Sequence, residues 1–246
     1  MFFLKILLSL AVYLLMPFIL SPLLPASMSQ LVFGGLCALA VQPLLILLYV
    51  REQRLRGAVL CLPEHGGRLV PPVLILGAAA CLAVNNLLAL SGIPRIFTGY
   101  EEVAQALYSP PLLQQFLFVG LVIPLTEELI FRGQAFALLR DRMPWLPAAL
   151  LSALLFGIFH GNITQGIYGF LLGIILAWLY EVSGGLLLPY LFHAAANIMS
   201  TVVTAADWGG AGWYTLPVFM AETGITLGIS WICFIRIRKI CKLIEK

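Results

Sequence analysis

Two adjacent carboxylates lie inside an apolar stretch of this sequence, in the segment Glu127-Glu128-Leu-Ile-Phe-Arg132. An ionised carboxylate at the centre of a bilayer costs at least about 2.5 to 3.5 kcal/mol, so such a pair must be compensated or retained for chemistry. On a helix, Glu128 and Arg132 are four residues apart and can form an ion pair, whereas Glu127 is turned about 100° away. We therefore expect Glu127 to be unpaired and able to act as a general acid or base. The alternative is a structural ion pair beside a second Glu on the wall of a water-filled cavity.

A histidine follows at a spacing that suits a helical hairpin with its turn at residues 141–144. Glu127 and His160 each lie about sixteen residues from the middle of that turn, so two antiparallel helices carry them to the same depth. Phe156 lies one turn before His160 on the same face and can pack over the site. A lone His on an apolar helix is usually a core residue, but one that is level with an unpaired Glu is a better candidate for catalysis.

A second histidine and an asparagine are four residues apart in His193-Ala-Ala-Ala-Asn197, so both project from one helix face. The small residues between them allow another helix to approach closely. A ring N–H and an amide N–H are suited to a developing alkoxide, so the pair could form an oxyanion hole. The alternative is a polar clamp between helices.

The composition is that of a polytopic membrane protein: 61% of the 246 residues are hydrophobic, 10% are charged, and the mean hydropathy is +1.02. These values exclude a soluble domain, and no basic groove or aromatic ladder for nucleic acid is visible. The sequence predicts an all-α protein of about eight transmembrane helices with an intramembrane polar site. The predicted spans are 2–24, 31–50, 71–90, 112–140, 145–160, 163–180, 186–206 and 214–235. The first could instead be a signal peptide, but its apolar stretch is long and no clear cleavage site follows.

Basic residues support an even number of spans with both termini in the cytoplasm. The rule that Lys and Arg favour the cytoplasmic side is satisfied by eight spans, whereas seven would place the basic tail outside. Arg95 falls outside and Arg132 within the membrane. The residues predicted to be inside are Lys5, Arg51, Arg54, Arg56, Arg68, Arg140, Arg142, Arg236, Arg238, Lys239, Lys242 and Lys246. We therefore expect an integral membrane protein, in a bacterial cell membrane.

Other protease chemistries lack their motifs in this sequence. There is no HExxH zinc motif, no GxSxG nucleophile elbow and no Gly-Xaa-Gly-Asp aspartyl motif. The five cysteines show no metal-like spacing and are interpreted as small apolar side chains. They are Cys37, Cys61, Cys81, Cys233 and Cys241.

Taken in order along the chain, the three motifs resemble those of the CPBP family, which contains the type II CAAX prenyl endopeptidases and bacteriocin-processing or self-immunity proteins. They are Glu127-Glu128-x-x-x-Arg132, Phe156-x-x-x-His160 and His193-x-x-x-Asn197. The resemblance implies an eight-helix, glutamate-type intramembrane endopeptidase. It implies that Glu127 and His160 activate water, that His193 and Asn197 stabilise the oxyanion, and that Glu128 and Arg132 support the site.

The resemblance also divides the chain. Residues 1–111 form three N-terminal helices and a connecting segment, 112–206 the catalytic core of helices four to seven, and 207–246 a last helix with a basic tail. The expected substrate is a membrane-associated peptide or protein, cut near the cytoplasmic side in CAAX-type or in leader- or pheromone-type processing. The alternative function is a non-catalytic immunity or scaffold protein that binds a hydrophobic peptide in the same cavity.

No cofactor is expected. A zinc site built from His160, His193 and Glu127 is the alternative, but these residues would come from three helices and would consume the general base itself.

Overall fold

The computed structural model describes residues 2–57, 66–97, 99–208 and 215–244, and the regular elements in these ranges are all helices. A short 3₁₀ turn at Ser21–Leu23 follows the first helix, and another at Gly66–Leu69 precedes the third. The helices are α1 (Phe2–Leu20), α2 (Gln30–Leu55), α3 (Val70–Ser91), α4 (Ile93–Ile96), α5 (Tyr100–Tyr108), α6 (Leu112–Arg140), α7 (Trp145–Phe159), α8 (Ile163–Ser183), α9 (Leu187–Ala205) and α10 (Leu216–Ile244).

Each of the eight predicted spans overlaps one long helix of the structure, but the count of eight spans is not confirmed. Six helices in the described ranges are long and apolar enough to cross a membrane, namely α1, α2, α3, α8, α9 and α10. Helix α6 adds a seventh only together with α5, from which it is bent by 107°. The eighth, α7, has 15 residues and rises only about 22 Å, short of a bilayer core of about 30 Å. The chain is an all-α integral membrane protein.

Helix α6 is central and irregular. It contacts α1, α2, α7, α8 and α9, and its middle buries Ile130, Phe131 and Phe136 completely. Two segments, Phe118–Val122 and Leu129–Phe136, have π-helical hydrogen bonds, an irregularity that often marks functional sites. The first lies just before Pro124, whose ring and missing N–H do not fit a regular helix.

The irregular turn before Pro124 leaves backbone acceptors for side chains of neighbouring helices. The N–H of Ile123 bonds to the carbonyl of Phe118 rather than to that of Val119, and Pro124 has no N–H to offer the Val119 carbonyl. Asn197 of α9 donates to the Val119 carbonyl at 2.9 Å, and Gln42 of α2 donates to the Val122 carbonyl at 2.8 Å. The two side chains therefore fix α6 between α2 and α9.

Glycines bring α7 and α8 into close contact. A Cβ at Gly157 would lie 2.6 Å from the carbonyl oxygen of Gly166, so no other residue fits without moving a backbone. Small residues at helix interfaces serve this purpose in membranes, where lipid supplies little force to drive helices together.

Three ion pairs identify one end of the bundle, which we call the basic end. They are Lys5–Glu52 at 2.6 Å, Arg56–Asp141 at 2.7 Å and Arg140–Glu181 at 3.0 Å. These residues belong to the start of α1, the end of α2, the α6–α7 turn and the end of α8, so those segments meet at this end. Four cysteines, Cys37, Cys81, Cys233 and Cys241, are buried as expected, and Cys61 lies outside the described residues.

Candidate active site

A cavity of about 360 Å³ lies between α3, α4, α5, α6, α7, α8 and α9. Five of the seven predicted site residues line it: Glu127, Phe156, His160, His193 and Asn197. The other two, Glu128 and Arg132, are completely buried behind this wall. Residues from three separate motifs, up to 70 positions apart in sequence, are thus gathered around one space by the packing of α6, α7 and α9.

His193 lies between the two carboxylates. Its Nδ1 donates to Oε1 of Glu128 at 2.8 Å, and its Nε2 lies 3.5 Å from Oε2 of Glu127. The expectation that Glu127 is unpaired therefore needs correction, because α9 brings His193 to it. A carboxylate can only accept hydrogen bonds, so Glu128 fixes the orientation of the His193 ring.

Arg132 holds Glu128 from the other side. Its Nε lies 3.3 Å from Oε2 of Glu128, as the spacing of four residues predicts, and its Nη2 lies 3.4 Å from the carbonyl oxygen of Gly173. Its guanidinium also lies 4.5 Å from the centre of the Phe156 ring. Charge and cation–π contact stabilise the buried guanidinium, because its Nε and Nη1 have no hydrogen-bond partner. Phe156 thus has a role in addition to the predicted packing over His160.

His160 directly follows the last residue of α7, and its ring is fixed on two sides. Its Nδ1 lies 2.8 Å from the carbonyl oxygen of Phe156, which can only accept, so Nδ1 carries the hydrogen and Nε2 of the neutral ring has a lone pair. The Phe156 ring contacts it edge-on with centroids 4.7 Å apart. A Cβ at Gly169 would lie 3.1 Å from the His160 ring, so this glycine makes room for it.

Glu127 of α6 and His160 at the end of α7 both line the cavity, but they do not form an ion pair with each other. The two residues were predicted to lie at the same depth and to face each other. They do share one cavity, but their side chains are not in direct contact as an ion pair. Asn197 has one amide hydrogen engaged with Val119 and a second one available. Asn197 therefore links α9 to α6, as expected for a polar clamp, and it also lines the cavity.

Sequence reasoning missed Thr164, which lies on α8 directly after the His160 turn. Thr164 lines the cavity, is only 5% exposed, and its hydroxyl has no hydrogen-bond partner. A buried unpaired hydroxyl is unfavourable, and one that faces a cavity is suited to a hydrogen bond with a ligand. The signal in the sequence was a Thr four residues after His160, which is too common a pattern to be specific.

We expect Thr164→Val to lower kcat/KM without lowering the stability of the fold. If Thr164 bonds to the substrate backbone, its loss should lower kcat/KM by about threefold to tenfold, the value of one neutral hydrogen bond. The melting temperature should stay the same or rise, because an unpaired hydroxyl is replaced by a methyl group. Thr201→Val is the matched control: its hydroxyl bonds within α9 to the Asn197 carbonyl at 3.0 Å and does not line the cavity. Equal kcat/KM for Thr164→Val and the unmodified protein would remove Thr164 from the site.

A second cavity, of about 960 Å³, adjoins the first and shares Val103 and His160 with it. Its remaining walls are largely apolar and come from α4, α5, α7 and α8, including Phe97, Ile158 and Phe170. The polar site is therefore next to an apolar space, and Val103 and His160 form part of the wall of both.

The described residues contain no group of three or more His, Cys, Asp and Glu side chains gathered closely enough to hold a metal ion. In particular, His160 forms no ion pair with either carboxylate, whereas His193 approaches both. The alternative zinc set of His160, His193 and Glu127 would need the side chains to move.

Comparison with known proteins covers the same region. Residues 109–199 match the family model described as type II CAAX prenyl endopeptidase Rce1-like. The UPF0177 protein YxdF of Lactococcus lactis subsp. lactis (strain IL1403) is 28% identical over 102 residues, which cover 41% of this chain and 54% of that protein. An uncharacterized 24.3 kDa protein of Escherichia coli is 35% identical over 95 residues, which cover 37% and 44%.

YdiL of Bacillus subtilis (strain 168), which is named as a candidate membrane peptidase, is 25% identical over 112 residues, covering 46% of this chain and 45% of YdiL. The chain spans about half the length of the curated relatives it matches. No solved structure matches it. The matched segment contains all three motifs and the helices that form the cavity wall around the carboxylates. Residues 109–199 of this chain are therefore similar to the Rce1-like family of type II CAAX prenyl endopeptidases.

Proposed function

We propose that this protein is an intramembrane endopeptidase that uses a glutamate to activate water. The observation that carries the proposal is one cavity, enclosed by helices, that is lined by Glu127, His160, His193 and Asn197 together. Binding an apolar peptide does not require two histidines and a carboxylate in such an arrangement, whereas hydrolysis requires a base, a proton carrier and oxyanion donors.

In the proposed reaction, a water molecule between Glu127 and His160 attacks the carbonyl carbon of the scissile peptide bond. Glu127 takes a proton from the water and passes it to the leaving amine. The Nε2 lone pair of His160 accepts the water's other hydrogen in a hydrogen bond and so orients it. The charge that develops on the carbonyl oxygen is stabilised by the second amide hydrogen of Asn197 and by Nε2–H of His193, which is present when the His193 ring carries hydrogen on both nitrogens.

The supporting residues keep these groups in place. Glu128 holds the His193 ring through Nδ1, and Arg132 balances the charge of Glu128. Phe156 contacts the rings of both histidines, with centroids 4.7 and 5.7 Å apart. A site whose parts are fixed before the substrate binds has little reorganisation to make during the reaction.

The proposed substrate is a membrane-associated peptide or protein, in CAAX-type or in leader- or pheromone-type processing. The apolar cavity beside His160 is suited to the apolar segment of such a substrate, since it adjoins the catalytic groups and is lined by α4, α5, α7 and α8.

The proposal is tested by comparing the peptides in membranes and in medium from cells that produce the protein or its Glu127→Ala variant. A peptide pair that represents cleavage should appear with the unmodified protein and be lost in the variant. Identical peptide populations at equal protein levels would contradict proteolysis and favour a non-catalytic binding protein.

Asn197→Ala should reduce both turnover and stability, because Asn197 lines the cavity and also satisfies the Val119 carbonyl. Loss of one oxyanion donor is expected to lower turnover per folded molecule by about 10² to 10³. Loss of one hydrogen bond in the membrane should cost about 0.6 to 2 kcal/mol of stability. The measurement is turnover per folded molecule together with the melting temperature.

Gln42→Ala is the matched control for this variant. Gln42 makes the equivalent hydrogen bond to the Val122 carbonyl from the side of α6 away from the cavity, so it should lose stability only. If Asn197→Ala has an unchanged rate per folded molecule, like Gln42→Ala, then Asn197 is a clamp and not part of the catalytic set.

We also propose that no metal ion is required, because the base Glu127 would be consumed as a ligand in the zinc set described above. Turnover should be unchanged after dialysis against a strong chelator, with the chelated protein checked for retained folding. Loss of activity in chelator that is restored by added Zn²⁺ would overturn this prediction.

A further inference from the structure

We propose that the catalytic cavity is entered from the non-cytoplasmic side of the membrane, and that its substrate is therefore an exported peptide segment. The inference rests on the endopeptidase function proposed above, and it specifies which molecules can reach the site. It follows from where the cavity lies along the bundle and from the distribution of charge between the two ends.

The cavity occupies the half of the bundle opposite the basic end. Its wall includes Ala89 near the end of α3, Pro94 of α4, Tyr108 at the end of α5, Thr164 in the first turn of α8, and Ser200 in the second half of α9. No residue of the α6–α7 turn, of the α8–α9 turn or of the end of α2 lines it.

Hydrogen bonds confirm that these segments share one end, which we call the cavity end. The hydroxyls of Tyr108 and Ser200 are 2.8 Å apart, which joins the end of α5 to α9. Asn86 donates to Oγ1 of Thr223 at 3.1 Å, which joins the last part of α3 to the first part of α10. The ion pairs of the basic end involve none of these segments.

Basic side chains are concentrated at the basic end. Lysine and arginine near membrane boundaries favour the cytoplasmic side, and the orientation of a chain follows their bias. At the cavity end, the described residues include one basic side chain, Arg95, together with the acidic Glu101, Glu102 and Asp207. At the basic end, they include Lys5, Arg51, Arg54, Arg56, Arg68, Arg140, Arg142, Arg236, Arg238, Lys239 and Lys242. The basic end, where α1 begins and α10 ends, is thus cytoplasmic, and the cavity end is not.

The short helix α7 sets the depth of the site below the outer surface. It begins at the cytoplasmic turn and its 15 residues rise about 22 Å, so His160 lies about 8 Å inside a core of about 30 Å. The short helices α4 and α5 lie over this gap and line both cavities. A peptide lying in the outer half of the bilayer can therefore reach His160 by passing beside α5.

This orientation changes the expected substrate. The sequence led to the expectation that a peptide is cut near the cytoplasmic side, but a cytoplasmic C-terminal segment would have to cross the membrane to enter this cavity. A peptide that has been exported, or the outer part of a membrane-inserted one, reaches it directly. The cavity walls contain no Lys or Arg, so the bound segment is uncharged backbone with apolar side chains rather than a free carboxylate.

The test is cysteine labelling with a charged, membrane-impermeant maleimide on full-length protein whose five native cysteines are replaced by alanine. One cysteine is then introduced at Ser109, which is exposed at the cavity end, at Gln165 in the cavity wall, or at Arg54, which is exposed at the basic end. Each variant is labelled in right-side-out spheroplasts and in inside-out membrane vesicles, and the modification is read as a mass shift.

We expect Ser109→Cys and Gln165→Cys to be labelled in spheroplasts and Arg54→Cys to be labelled only in inside-out vesicles. Labelling of Gln165→Cys only in inside-out vesicles, or in neither preparation while Ser109→Cys reacts in spheroplasts, would overturn the inference. The same holds if Arg54→Cys reacts in spheroplasts. Labelling requires no turnover, so failure of the peptide comparison with Glu127→Ala would reject the proteolytic function while leaving this result intact.

Discussion

Glu127→Gln is expected to lower turnover by about 10² to 10⁴, the contribution of a positioned general base, and to leave the protein folded. Glutamine has nearly the same shape, but its amide cannot take a proton from water. Glu127 lines the cavity and is not part of the buried ion pair, so the charge balance between Glu128 and Arg132 is preserved. The measurement is turnover of a cleaved peptide per folded molecule, with the melting temperature recorded for the same preparation.

Two outcomes would contradict this assignment. Substantial residual turnover in Glu127→Gln would mean that another group takes the proton from water. A fall in melting temperature as large as that of a variant in the buried ion pair would mean that Glu127 is structural. Thr201→Val serves as a control again, since it changes a buried group near the site without entering the cavity.

Arg132→Ala and Glu128→Gln are expected to have the largest effects on stability, about 3 to 5 kcal/mol, with loss of folded protein. Both side chains are completely buried, so removal of either leaves an uncompensated charge or unpaired polar atoms in a medium of low dielectric. Arg132→Ala also removes the contact with the Phe156 ring, and Glu128→Gln weakens the bond that orients His193. The measurement is the yield of folded protein in detergent together with the melting temperature.

A double variant separates charge balance from packing. Glu128→Leu with Arg132→Met removes both charges and keeps apolar volume, so its loss of stability should be smaller than the sum of the two single losses. It should still be inactive, because His193 loses its partner. If the two single variants melt like the unmodified protein, the ion pair does not support the site.

Features that depend on local spacing were predicted correctly from the sequence. Hydropathy located the helices, because about 20 apolar residues are needed to cross a bilayer whatever the neighbouring helices are. The ion pair of Glu128 with Arg132 followed from helical periodicity, since residues four apart are neighbours on any helix. The rise per residue placed Glu127 and His160 on the wall of the same cavity.

Which groups meet across helices depends on the packing of the folded chain and was not predicted. That His193 rather than His160 approaches Glu127, and that Asn197 satisfies the Val119 carbonyl, depends on how α9 packs against α6. The π-helical turns of α6 and the bend between α5 and α6 shift side chains away from their ideal helical positions, and no local pattern specified them. The end of the bundle at which the cavity opens is likewise a property of the packed helices. Spacing along one helix is local, whereas contact between helices depends on close approaches at residues such as Gly157 and Gly166, which only the folded chain brings together.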